Sequence, residues 1–222
     1  MKITAQVKKF NIVFAFYLML FIASAIFGNK IITTSWGVFS AASLISPIWY
    51  VLNDVILEVY GYFTARHAFA VVLVVAFTLG LMCSVLIQIP SPTNLAANSA
   101  YQWVFGNLLK TISCQWLGIS LAWWLSAKLF MRWQRLWQRK YFALRSCVAS
   151  ALMLCLFSML SIFPTIYGRY PLTEVVSIIT WSCVLKIMGV IIFSHLSILL
   201  IYYLQPKTQL NTNELRELLE SP

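Results

Sequence analysis

Asp54-Val-Ile-Leu-Glu58-Val-Tyr-Gly-Tyr62 sets two carboxylates four residues apart near the end of a long apolar segment. Residues i and i+4 share a helix face, so a helical segment stacks Asp54 and Glu58 on one side. A charged side chain in the hydrocarbon region of a bilayer costs at least about 2.5–3.5 kcal/mol. Two on one face therefore look into a protein interior or a watery cavity and not into lipid. The segment reads as the polar helix of a membrane protein.

Composition supports that reading. Of the 222 residues, 61% are hydrophobic and only 10% are charged, where a soluble domain carries about 25% charged residues. With a mean hydropathy of +0.82, the chain lacks the polar surface of a water-soluble fold. One membrane domain over residues 1–204 accounts for nearly the whole length, leaving a short polar tail at 205–222. The net charge of +10 would suggest nucleic acid in a soluble protein. Here the basic residues cluster between apolar runs, which is a topology signal, and no nucleic-acid partner is expected.

A spanning helix needs about 20 mostly apolar residues. Six windows qualify, roughly 10–28, 38–60, 66–89, 104–127, 143–166 and 174–203. The expected fold is an all-α integral membrane protein, a bundle of six transmembrane helices. The second window is the most polar, with Ser40, Ser43, Ser46, Asn53, Asp54 and Glu58. Pro47 removes a backbone donor there and frees a carbonyl.

The connections alternate in charge. Lys2, Lys8 and Lys9 precede the first segment, Arg66 follows the second, and Lys128, Arg132, Arg135, Arg139 and Lys140 separate the fourth from the fifth. The stretch from Pro90 to Gln102 has no charge, and the other two links hold only Lys30 and Arg169. By the positive-inside rule both termini are cytoplasmic. Met131-Arg-Trp-Gln-Arg-Leu-Trp-Gln-Arg-Lys140 interleaves aromatics with arginines. Its plain reading is an interfacial segment, with Trp133 and Trp137 at headgroup depth. Ala23-Ser-Ala25 after the first apolar run imitates a signal cleavage site, but the run is longer than an h-region and reads as a retained helix. Asn211-Thr-Asn-Glu214 in the tail resembles a capping box.

Away from the loops, the charged residues inside the spanning windows are Asp54, Glu58, Lys110, Arg145 and Lys186. Lys186 lies mid-segment, where snorkelling to either surface is hard; Arg145 lies near an end, and Lys110 about two turns inside the fourth window. The plain account is that acids and bases neutralise one another across helices. The functional account is a polar cavity in which some of them hold a solute or a proton. Buried pairs contribute little stability compared with apolar packing, so retaining several points to a further role. In either account Asp54 or Glu58 should lie within reach of Lys186 or Arg145, because an unpaired charge at that depth is costly. The five cysteines show no CxxC or Cys/His spacing and there are only two histidines, so no metal or other cofactor is expected. No GxSxG, HExxH or glycine-rich phosphate loop occurs, and nothing points to an enzyme.

Asn29-Lys30, Ser46-Pro47, Asn53-Asp54, Glu58-Val-Tyr-Gly-Tyr62 and Ala65-Arg66, followed by Leu144-Arg145-Ser146 and Leu185-Lys186, together resemble the queuosine precursor transporter family, also described as vitamin uptake transporters. The resemblance covers most of the chain in order. It implies a six-helix bacterial inner-membrane protein that takes up a 7-deazapurine such as preQ0, preQ1 or queuine. It implies substrate-binding roles for Asp54, Glu58, Lys186, Arg145, Asn29, Asn53 and Tyr50. Carboxylates can accept from the amino groups of a purine-like ring, and aromatic faces can stack on it. Where family members carry a glutamine and an aspartate after the L-R-S run, this chain has apolar residues near Leu154 and Phe157, which leaves another small solute as an alternative. The partners this implies are a purine-like small molecule and the lipid bilayer, with a homo-oligomer or an energising partner left open. Two other classes stay open as well. One is a substrate-binding subunit similar to the S-components of energy-coupling-factor transporters; the other is a structural membrane protein whose buried charges hold helices together.

Overall fold

The computed structural model describes residues 2–28, 30–89, 97–106, 108–136, 141–158, 160, 163 and 171–204. Asn29, the charged end of the 128–140 stretch and the tail at 205–222 lie outside the described residues.

Helix α1 (Lys2–Phe27) leads into a short antiparallel hairpin, β1 (Ile31–Thr34) and β2 (Gly37–Ser40). Helices α2 (Ala42–Tyr60), α3 (Tyr62–Leu86), α4 (Ala97–Phe105), α5 (Leu108–Leu136), α6 (Phe142–Phe157) and α7 (Leu172–Leu204) follow. The protein is all-α apart from the hairpin. Four helices are long and apolar enough to cross a bilayer: Gln6–Phe27 within α1, then α2, α3 and α7. They make it a multi-pass membrane protein. The fourth and fifth sequence windows fall on the more polar α5 and on the 16 residues of α6.

Three expectations are corrected. The second window begins as a strand, because Ile31-Ile-Thr-Thr34 and Gly37-Val-Phe-Ser40 are rich in β-branched and aromatic residues and pair with each other, Ile31 opposite Ser40. The fourth window is not one helix from 104 to 127. It breaks at Gly106, and α5 runs on to Leu136, carrying Lys128, Arg132 and Arg135 as helical residues. Cations are favourable near a helix C-terminus, so the basic run extends the helix instead of ending it. Lys110 accordingly sits in the first turn of α5, exposed, and not two turns deep.

Helix α2 is the axis of the bundle. Within its apolar window 67% of residues are buried, against 22–33% in the other three spans, so its polar side chains are enclosed by protein. The main core draws Tyr17, Trp49, Val72, Ile119, Met153 and Val190 from six different helices. The outer faces carry exposed apolar side chains such as Val74, Met82, Ile192 and Leu199, as a lipid-facing surface requires.

Two joints set the packing around α2. Gly61 holds φ +83°, a conformation that favours glycine, and lets α2 reverse into α3 within a single residue. On the other side, a Cβ on Gly189 of α7 would fall 2.6 Å from Cγ of Pro47. The bare glycine therefore lets α7 close on the proline ring of α2. The hairpin is pinned to α7 in the same way. Gly37 lies under the Trp181 ring, and the Ser40 amide donates to Ser182 Oγ at 3.2 Å.

Candidate functional site

Ser43, Ser46, Tyr50, Asp54 and Glu58 recur every three or four residues on α2 and form one buried stripe. Ser46 and Glu58 are about 18 Å apart along the axis at 1.5 Å per residue. A matching stripe on α7 contains Ser182, Lys186, Val190, Ser194 and Ser197, all buried. Pro47 meets Gly189 near one end of this contact, and the Asp54 level is linked to Ser194 further along, so α2 and α7 run in the same direction.

At the far end of the stripe, Glu58 Oε2 lies 3.2 Å from Arg145 Nη2 and accepts a hydrogen bond from Gln134 Nε2 at 3.1 Å. The guanidinium sits 4.9 Å from the Phe130 ring centre and 6.0 Å from that of Phe142. Arg145 is fully buried, and an ion pair walled by aromatic rings is screened far less than one in water. The expected pairing across helices is realised here, between Glu58 and Arg145.

One turn back, Asp54 Oδ2 accepts hydrogen bonds from Ser146 Oγ at 2.6 Å and Ser150 Oγ at 2.8 Å. Ser194 Oγ of α7 donates to Ser146 Oγ at 3.3 Å. The neighbouring Asn53 turns toward α5, where its Oδ1 accepts from Trp123 Nε1 at 2.8 Å. Helix α2 is thus joined to α5, α6 and α7 within a turn and a half. Ser146 and Ser150, one turn apart directly after Arg145, were the signal available in the sequence for these partners. Hydroxyls are common in apolar segments, and nothing marked these two.

Lys186 stands apart from the acids. It lines a cavity beneath the hairpin together with Ser24, Gly28, Ser40, Ser46, Gln115 and Phe157. Its Nζ lies 5.2 Å from the Phe157 ring centre, and no carboxylate is within ion-pair distance among the described residues. Tyr50 reaches the same region, its ring 6.5 Å from Phe157 and 3.8 Å from Trp49. The water-accessible space is about 40 Å³, where one water needs roughly 10–15 Å³. A bicyclic ring enters only if α2, α7 or the hairpin moves.

Ser46 Oγ in this lining, and Tyr17 Oη, Ser43 Oγ, Trp49 Nε1 and Tyr50 Oη elsewhere on α1 and α2, have no hydrogen-bond partner among the described residues. Each of these residues is no more than 2% exposed. A buried polar group without a partner costs about 1–3 kcal/mol. Their concentration on two adjoining helices calls for partners beyond the protein's own groups, water or a solute.

Of the seven residues the sequence pointed to, the structure brings Asp54, Glu58 and Arg145 together and places Asn53 beside them on Trp123. Lys186 and Tyr50 belong to the cavity end of the same stripe, and Asn29 lies outside the described residues. A family model described as "Putative vitamin uptake transporter" matches residues 40–202. The chain belongs to the Putative vitamin uptake transporter family. That match begins at Ser40 and ends near the C-terminus of α7, so it contains α2, the stripe it carries and all its partners on α5, α6 and α7. No curated protein and no solved structure matches the chain.

Proposed function

We propose that this transporter of the vitamin uptake family carries a small, flat, vitamin-like solute along the polar stripe of α2, and that the solute is a queuosine precursor, a 7-deazapurine. The observation that carries the reading is the stripe itself. It runs from a cavity with unpartnered polar groups to a buried ion pair, enclosed between α6 and α7, the geometry of a path and not of a lipid-facing surface. Solute enters beneath the hairpin between Lys186, Ser46 and Tyr50. Passage beyond Asp54 requires the Glu58–Arg145 contact to open. Asp54 offers a carboxylate to the solute or to a coupling proton, and its two serine partners hold it in place meanwhile.

In this proposal the chain crosses the bacterial inner membrane six times with both termini in the cytoplasm. The basic residues of α5 and Arg66 then face the cytoplasm and the hairpin faces outward. Because α2 and α7 run in the same direction, an odd number of crossings lies between them. The topology meets that condition, with α2 and α7 as its second and sixth crossings.

The test is restoration of tRNA queuosine from supplied preQ0, preQ1 or queuine, in cells lacking their own precursor synthesis and transporter. Rescue by the native chain supports the reading. Failure with all three, despite good expression, assigns another solute. Rescue that needs a co-expressed ATPase module would make the chain a substrate-binding subunit.

A further inference from the structure

Among the described residues that line the cavity beneath the hairpin, Lys186 alone carries a charge, and the polar side chains beside it, Ser24, Ser40, Ser46 and Gln115, can donate as well as accept. Lysine has three donors and no acceptor, and the indole N–H only donates. Lys186 is 2% exposed and stands 14 residues from the start of α7 at Leu172 and 18 from its end at Leu204. It is therefore about 21 Å from the nearer end at 1.5 Å per residue. A lysine stem cannot span that, so snorkelling does not explain the residue.

The carboxylates that could neutralise Lys186 are engaged elsewhere. Glu58 is paired with Arg145. Asp54 lies two turns along α2 from Ser46 and accepts from Ser146 and Ser150. Lys186 instead faces the π surface of Phe157. Beside it, Ser46 Oγ and Tyr50 Oη are buried and without a partner among the described residues, and next along α2 so is Trp49 Nε1. Phe157 lines the cavity and is backed by Tyr50 and Trp49, and its face is one on which a flat ring can stack.

From this arrangement we infer that the cavity is a recognition site for flat rings that present hydrogen-bond acceptors or negative charge, and that it discriminates against rings that present an ammonium group. The inference rests on the reading that solute enters this cavity, and it deepens it by assigning the selecting residue. An acceptor on the ring takes the Lys186 ammonium and relieves the orphaned donors. An ammonium in the same place meets the like charge of Lys186 with little screening and gives that ammonium no acceptor. Lys186 is the specificity-determining residue, and Ser46 assists it.

The experiment measures equilibrium binding to the purified full chain in detergent with two matched pairs. One pair is preQ0, which bears a nitrile, against preQ1, which bears an aminomethyl cation. The other is nicotinate against 3-(aminomethyl)pyridine. The acceptor-bearing member should bind at least about tenfold tighter, since a charge-assisted hydrogen bond accounts for a factor of that order. Lys186→Met should weaken that member by about tenfold and shrink the preference, while Lys186→Arg should keep it. If Lys186→Met does not fold, Ser46→Ala takes its place and should weaken the acceptor-bearing member. Nicotinate binding with neither deazapurine would uphold the inference and discard the queuosine-precursor reading. Equal or tighter binding of the ammonium member, no binding of any acceptor-bearing compound, or a preference unchanged in the variants would overturn the inference.

Discussion

Arg145 and Glu58 form a buried ion pair at 3.2 Å, one residue on α6 and the other on α2. Gln134 of α5 donates to the same carboxylate oxygen, so three helices meet at one atom. Arg145 is fully buried and Glu58 nearly so, and each charge is neutralised by the other. A contact of this kind is stable while intact and costly once one side is removed.

Removing the cation alone should expose that dependence. Arg145→Met leaves Glu58 buried and unpaired and should lower stability by about 3–5 kcal/mol. The double variant Arg145→Met with Glu58→Leu should recover much of the loss. Thermal melting in detergent of both singles and the double closes the cycle. Strict additivity would show that the two residues are not coupled.

Asp54→Asn keeps an oxygen that can accept from Ser146 and Ser150, so the protein should insert and fold as the native chain does. Transport should respond differently. If the carboxylate serves solute or a coupling proton, uptake should drop by at least about tenfold, because a hydrogen bond to a charged group contributes roughly 1.5–3 kcal/mol. Normal uptake by a well-expressed Asp54→Asn variant would confine Asp54 to a structural role.

The contact between α2 and α7 depends on a missing side chain. Gly189→Ala places a methyl group 2.6 Å from Pro47 Cγ and must push the helices apart. The expected loss is about 1–3 kcal/mol, as for other overpacked sites. Gly61→Ala is strained for another reason, since no atom lies within 4 Å of the added Cβ while φ is +83°. It should destabilise the α2–α3 joint by about 1–2 kcal/mol. Melting temperatures of both variants test this, and an unchanged value for Gly189→Ala would contradict the packing described.

Topology can be read by thiol labelling from outside intact cells, with the five native cysteines replaced. Leu95→Cys, in the uncharged stretch, should react with an impermeant reagent, and Leu136→Cys at the end of α5 should not. The reverse pattern would invert the orientation proposed for the whole bundle.

The sequence by itself determined the solvent and the central helix. Too few charges for an aqueous surface, with long apolar runs, leave lipid as the medium, and helical phase is a local property fixed by 3.6 residues per turn. Ser46, Tyr50, Asp54 and Glu58 therefore had to share one face wherever α2 came to lie. Tertiary structure alone decided what that face meets. Arg145 and Lys186 were equivalent candidates for the acids, and only the order and rotation of α6 and α7 gave Glu58 to Arg145 and left Lys186 at the cavity. The same holds for the serines around Asp54, which read as ordinary small residues until α6 brings them within hydrogen-bond distance. The hairpin was missed because its strands are four residues each, too short to stand alone, and it is held by Trp181 and Ser182, some 140 residues away along the chain. Periodicity sets which way a side chain points, whereas a partner on another helix is set by how close two backbones can approach, as Gly189 allows at Pro47.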